Sequence, residues 1–122
     1  MTRIALIEDN ADNRLLVRAI LEDRFTIDEY ETGADALAGL EARLPALVLL
    51  DISLPVMDGT EVLRRVRENE RLRALPVIAL TAHAMSGDRD KYLGMGFDAY
   101  VSKPIVDESV LLGEIERLLR RT

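Results

Sequence analysis

Residues 46–51 read Ala46-Leu47-Val48-Leu49-Leu50-Asp51, five apolar residues in a row and then a carboxylate. A run this short, without alternation and ended by a charge, is the pattern of a β-strand covered on both faces, as in a parallel sheet, rather than of a helix. Ile4 to Ile7 and Val77 to Leu80 repeat it, and these three runs are expected to be the central strands. Phe25 to Tyr30 alternates, with Phe25 and Ile27 apolar and Thr26 and Asp28 polar, and Asp98 to Ser102 is short and mixed. Both patterns suit strands at the edges of the sheet.

Between these runs lie five helical patterns. Asn10 is placed to cap a helix running to Asp23, with Leu15, Leu16, Ala19 and Ile20 on one face. Thr32 opens a second, with Ala36, Leu37 and Leu40 inward, that stops before Pro45. Asp58 and Gly59 lead into a third carrying Val62, Leu63 and Val66. Ser86 is placed to cap a fourth that ends near Gly94 and Gly96, and Asp107 starts a fifth with Val110, Leu111, Ile115, Leu118 and Leu119. Strand and helix alternating from end to end predict an α/β fold, a doubly wound parallel sheet with right-handed crossovers.

The size agrees with one domain over 1–122, since 122 residues is close to the commonest domain length. The composition, 48% hydrophobic and 31% charged, is that of an ordinary globular chain. The longest uncharged apolar run, Leu44 to Leu50, is far short of the ~20 residues that cross a bilayer. No signal peptide is evident at Met1, so a cytoplasmic location is expected, with no membrane partner. The chain contains no cysteine, which excludes a disulfide scaffold, a thiolate metal site and a Cys nucleophile. A net charge of -6 argues against direct nucleic-acid binding by the surface as a whole. The arginines at 64, 65, 67, 71 and 73 are read as the solvated side of the third helix and the segment after it, not as a nucleic-acid patch.

In an open parallel sheet, ligands bind beyond the carboxyl ends of the strands. At those ends the sequence places Glu8 and Asp9, then Asp51, then Thr81, then Lys103. Carboxylates that converge repel one another unless they are protonated or share a cation. A hard divalent ion resolves the repulsion, and with few protein ligands it keeps waters and a position for a phosphate oxygen, which favours Mg²⁺. A helix cap explains an acid at Asp9 equally well, but not Asp51 at the end of an apolar strand.

Glu8-Asp9-Asn10, then Leu49-Leu50-Asp51-Ile52-Ser53-Leu54-Pro55-Val56-Met57-Asp58-Gly59, then Leu80-Thr81-Ala82, then Ser102-Lys103-Pro104, in this order, resemble the receiver domain of two-component response regulators. Within that family the segments 81–88 and 100–105 are most similar to stand-alone cell-cycle-type regulators and to the receivers of hybrid histidine kinases. The resemblance covers the whole chain and implies the flavodoxin-like (βα)5 sandwich with strand order 2-1-3-4-5. It implies a phosphoprotein of a phosphorelay in which Asp51 takes a phosphoryl group from a phosphohistidine on a sensor histidine kinase or a histidine phosphotransfer protein. The metal would be Mg²⁺, held by Asp9, with Glu8 mainly through water, together with Asp51 and the backbone carbonyl of Ser53. Lys103 would pair with the phosphoryl oxygens, Thr81 would hydrogen-bond the phosphate, and Thr81 with Tyr100 would form the switch read by a downstream protein. Such a domain catalyses only its own phosphorylation and dephosphorylation. The resemblance also implies a cis Lys103–Pro104 bond; a simple break before the last helix is the alternative. With no room for an output domain, the result would be delivered by binding another protein or by passing phosphate on, and the start at Met1 favours a stand-alone chain over an excised piece.

Gly59 is read as a tight-turn residue without chemistry. Ser53 and His83, two residues after Asp51 and Thr81, are expected to border the water that hydrolyses the acyl phosphate and so to tune its lifetime; for His83, the only histidine, this outweighs a phosphotransfer role. The rival reading is an Mg²⁺-dependent phosphatase or phosphotransferase with Asp51 as nucleophile, but the second Asp such enzymes use as acid and base is here Ser53. A flavin carrier would need a Ser/Thr/Gly-rich phosphate loop, whereas Asn10 to Asn13 is acidic and lacks glycine. A degenerate, docking-only receiver would not keep Asp51, Thr81 and Lys103 together.

Overall fold

The computed structural model describes residues 1–82 and 88–120. Five strand and helix pairs follow one another: β1 (Arg3–Ile7), α1 (Ala11–Leu21), β2 (Thr26–Tyr30), α2 (Gly33–Ala42), β3 (Leu47–Asp51), α3 (Gly59–Glu68), β4 (Val77–Thr81), α4 (Asp88–Met95), β5 (Ala99–Ser102) and α5 (Glu108–Arg120). The strands form one parallel sheet in the order β2-β1-β3-β4-β5, so the apolar runs are central and the mixed ones lie at the edges. Asn10, Thr32 and Asp58 cap their helices as expected, each accepting a hydrogen bond from the backbone N–H three residues on. The predicted cap Ser86 lies outside the described residues.

Alternation along each strand divides the core in two. Ala5, Ile7, Val48, Leu50, Val77 and Ala79 face α2, α3 and α4, while Ile4, Leu6, Leu47, Leu49, Ile78 and Leu80 face α1 and α5. Every residue of β3 and β4 is buried, including the terminal Asp51 and Thr81. The apolar strands, buried along their whole length, thus carry two polar groups to the rim of the sheet.

Two helix faces differ from the sequence expectation. In α1 the buried residues are Val17 and Leu21 with Ile20 partly covered, whereas Leu15 and Leu16 stand 67% and 40% exposed and Ala19 is exposed. The inward stripe begins with Asn13 and Arg14, both half-buried, so its first turn is polar and the neighbouring stripe is more hydrophobic by sequence. In α5, Leu111, Ile115 and Leu118 are buried and Val110 is exposed, because Val110 sits one position off that stripe.

The β3–α3 connection folds back sharply. The Met57 N–H donates to the Pro55 carbonyl at 2.7 Å, and Val56 between them has φ +66° and is fully exposed. A β-branched residue in the left-handed region is strained. Gly59 has no such φ; it is required by proximity. A Cβ there would lie 2.4 Å from the Asp51 carbonyl oxygen and 2.8 Å from the Ile52 Cα, both backbone atoms that cannot swing away. We expect Gly59→Ala to cost about 2 kcal/mol of stability and to slow any chemistry at Asp51, since relief requires shifting β3's last peptide. Urea unfolding checks the first, and an unchanged midpoint would contradict the close approach.

Candidate functional site at the carboxyl ends of the strands

Glu8, Asp51 and Thr81 are the buried polar side chains of the described residues, at 1%, 2% and 0% exposure. They come from the ends of β1, β3 and β4, which pair side by side, so the strand order alone sets them next to one another. Asp9, one residue beyond Glu8, is exposed at the mouth. One oxygen from each of Glu8, Asp9 and Asp51 lies within 4.8 Å of the others, a cluster able to hold a metal ion.

Lys103 enters from the segment after β5, next to a cis Lys103–Pro104 bond, with its N–H donating to the Thr81 carbonyl at 2.7 Å. Its ammonium sits 2.9 Å from Glu8 Oε1 and 3.0 Å from Asp51 Oδ1. Asp51 Oδ1 also accepts the Ser53 N–H at 3.1 Å, and Glu8 Oε2 accepts the Asn10 N–H at 3.3 Å. Burial, followed by contact with Asp51, pushes the Glu8 carboxyl up to about 7, against the opposing pull of Lys103. Burial of Lys103 works to lower its pKa, but the hydrogen bonds to Glu8 and Asp51 outweigh it and leave the ammonium raised. Two buried carboxylates share one firmly charged cation, and the site keeps a negative excess.

The strand-end residues expected from the sequence are therefore brought together. Ser53 contributes its backbone beside Asp51 while the residue as a whole is exposed, and His83 lies outside the described residues. Tyr100 is half-buried and stacks on Tyr92 of α4, with ring centroids 5.9 Å apart and planes at 18°. The sequence reading passed over Tyr92, and also Arg14, whose Nη1 donates to the Glu8 carbonyl at 2.9 Å. The signal for Arg14 was a basic residue one turn into the helix that follows the acid pair. The basic stretch is largely neutralised: Arg64 and Arg65 pair with Glu61, Arg64 also reaches Glu68 at 2.9 Å, and Arg67 bonds Asp98 at 2.9 Å.

The family model of the response regulator receiver domain matches residues 4–116. The chain belongs to that family. It is 40% identical over 107 residues to the polar-differentiation response regulator DivK of Brucella ovis, with 84% of each chain covered. To the response regulator Rre1 of Synechocystis it is 39% identical over 120 residues, which are 97% of this chain and 52% of that protein; the chain thus spans about half of Rre1. The receiver domain of the sensor histidine kinase PA1611 of Pseudomonas aeruginosa superposes with a TM-score of 0.88 at 32% identity, covering 98% of both chains, and it was solved with a magnesium ion coordinated in its active site cleft. As a receiver domain, the chain is a phosphoacceptor signalling module of two-component systems, a class that works with histidine kinases and downstream effectors. Among the described residues no helix is long and apolar enough to cross a membrane.

Proposed function

We propose that Asp51 is the phosphoacceptor of this receiver and that it takes its phosphoryl group from a phosphohistidine on a sensor kinase or a histidine phosphotransfer protein. The observation that carries this is the Lys103 ammonium bridging Glu8 and Asp51 at 2.9 and 3.0 Å beside the third carboxylate, Asp9. An Asp51 oxygen attacks phosphorus, the P–N bond breaks, and its electron pair returns to the imidazole, which takes a proton from solvent. The reacting group carries its charge on its peripheral oxygens, so positioned cations do most of the work. Lys103 supplies one, and its link to Glu8 holds it in place before the phosphoryl group arrives. The Ser53 N–H orients the Asp51 carboxylate.

The donor set suits a small hard cation: three carboxylates against one ammonium leave an excess of negative charge. In this reading Asp9, Asp51 and the Ser53 carbonyl, with Glu8 mainly through water, would hold Mg²⁺, and the cation would offset charge on the transferring oxygens. Thr81, buried at the end of β4, donates to the phosphoryl group once it is present, and its movement is transmitted to Tyr100 and thence to a partner protein. Ser53 and His83 set the lifetime of the acyl phosphate. The protein catalyses its own phosphorylation and dephosphorylation only, and residues 1–122 act as one receiver domain. Because phosphohistidine is charged from ATP, the exchange takes place in the cytoplasm.

The test is incubation with Mg²⁺ and a small acyl or amidophosphate donor, followed by intact mass. One added phosphoryl group, labile to alkali and hydroxylamine, is expected, and a chelator should prevent its addition. Full labelling in the chelator would remove the metal from the mechanism. Metal uptake should also weaken about tenfold per pH unit below about 7, because Glu8 must lose its proton to bind. The metal-free protein should show the opposite trend. Glu8 holds a proton more tightly folded than unfolded, so its contribution to stability is present below its ordinary pKa of 4.5 and is lost as pH rises through about 7. Unfolding of wild type and Glu8→Gln across this range, with and without Mg²⁺, measures both; identical profiles would show that Glu8 carries neither effect.

A further inference from the structure

Arg14 lies on α1 with its side chain only 15% exposed, and each edge of its guanidinium has a different acceptor. Nη1 donates to the Glu8 carbonyl at 2.9 Å, Nε lies 3.4 Å from Glu29 Oε1, and Nη2 lies 3.3 Å from Glu31 Oε1. The guanidinium thus ties the turn after β1 to the edge strand β2 and the residue beyond it. The Glu8 carbonyl belongs to the planar peptide that joins Glu8 to Asp9. Turning that peptide changes the aim of both carboxylates at once, and both belong to the three-carboxylate cluster. On the other side of Glu8, its own N–H is held by the Tyr30 carbonyl at 3.0 Å. Arg14 and Tyr30 therefore fix Glu8 from opposite ends of the residue.

We propose that Arg14 is a positioning residue for the cation and phosphoryl site: by gripping the Glu8–Asp9 peptide it sets the angle at which the two carboxylates face Asp51. This rests on the reading that the acid cluster takes Mg²⁺. Glu29, half-buried on β2, serves as the far anchor on the sheet edge, with the exposed Glu31 beside it. Lysine cannot replace it, because a point charge lacks the rigid fork that reaches a carbonyl and two carboxylates in three directions.

Charge and geometry predict opposite results, which makes the inference testable. If Arg14 acted only as a positive charge near an acidic site, Arg14→Met would bind Mg²⁺ more tightly and Arg14→Lys would bind as wild type does. As a positioning residue, its loss should weaken Mg²⁺ binding about tenfold in Arg14→Met, and nearly as much in Arg14→Lys. Calorimetric titration of the intact protein with Mg²⁺ reads this directly. Urea unfolding without metal should show both variants folded, and phosphorylation at saturating Mg²⁺ should still be slower than in wild type, since excess metal does not restore the aim of Glu8. Should Arg14→Met not fold, Arg14→Lys decides alone. Affinity equal to or tighter than wild type in a folded variant overturns the proposal. A wild-type protein that takes up neither Mg²⁺ nor phosphate overturns the functional reading, and this inference with it.

Discussion

Asp51→Ala should abolish phosphoryl uptake, with a rate at least about 10³-fold below wild type, equivalent to about 4 kcal/mol of barrier. Asp51 ends a strand paired on both sides, and its Oδ1 is held by Lys103 at 3.0 Å and by the Ser53 N–H at 3.1 Å. Glu8 is held by the same ammonium and by the Asn10 N–H, and Asp9 is exposed at the mouth. The variant should nonetheless fold well. It leaves Lys103 with Glu8, one cation to one buried anion, and removes the carboxylate whose contact raises the Glu8 pKa. Intact mass after treatment with a small phosphodonor reads uptake, and urea unfolding reads the fold. Labelling of Asp51→Ala at the wild-type rate would place the acceptor elsewhere.

Lys103→Met should have the next largest effect, on stability and chemistry together. Glu8 and Asp51 are 1% and 2% exposed, and Lys103 bonds both. Without it, two buried carboxylates face each other with no cation, and breaking such a pair costs about 3–5 kcal/mol. That cost should be largest at pH 8 in metal-free buffer. It should shrink toward pH 6, because Glu8, already raised to about 7 beside the ammonium, rises further in its absence and takes up a proton. Mg²⁺ should restore stability, since the variant gains net negative charge where the cation would sit. Phosphorylation should still fall by about 10²-fold or more, because one of the fixed donors to the transferring oxygens is gone. Unfolding at both pH values, a Mg²⁺ titration and labelling kinetics separate these effects. Equal stability at pH 8 and equal rates would mean that the bridge contributes nothing.

The prediction for Lys103 depends on a meeting of residues 95 positions apart, Glu8 and Lys103, that was legible in outline. Apolar runs ending in charged or polar groups locate strand ends, and strand ends of a parallel sheet share one rim, so membership in the site follows from pattern. Contact does not. Both the site acids and Lys103 could have stood at the rim and faced solvent. Glu8 is buried against Lys103 while Asp9 lies exposed at the mouth of the same cluster, and Arg14 bonds the peptide between them.

The helices divide in the same way. Asn10, Thr32 and Asp58 were recognisable as caps because capping is a local exchange between one side chain and an N–H three residues on. The buried face of α1 was not, because two stripes compete there and the more hydrophobic one, Leu15, Leu16 and Ala19, lost. The winning stripe begins in two half-buried polar residues, Asn13 and Arg14, of which Arg14 bonds the Glu8 carbonyl, and no hydrophobicity count rewards that. Gly59 shows a further limit. A glycine before a helix reads as a turn residue, but its reason is the Asp51 carbonyl, eight residues back in sequence, lying where a Cβ would be.

Element types, the central and edge strands and the residue types at the rim were legible in the chain, because these depend on periodicity, caps and residue identity, all of which act over a few neighbouring positions. Which face α1 buries, which acids share the lysine and which arginine holds their peptide emerge from packing alone. Those outcomes are set by distances between segments far apart in the chain, where a difference of one ångström separates a bridge from a bare charge.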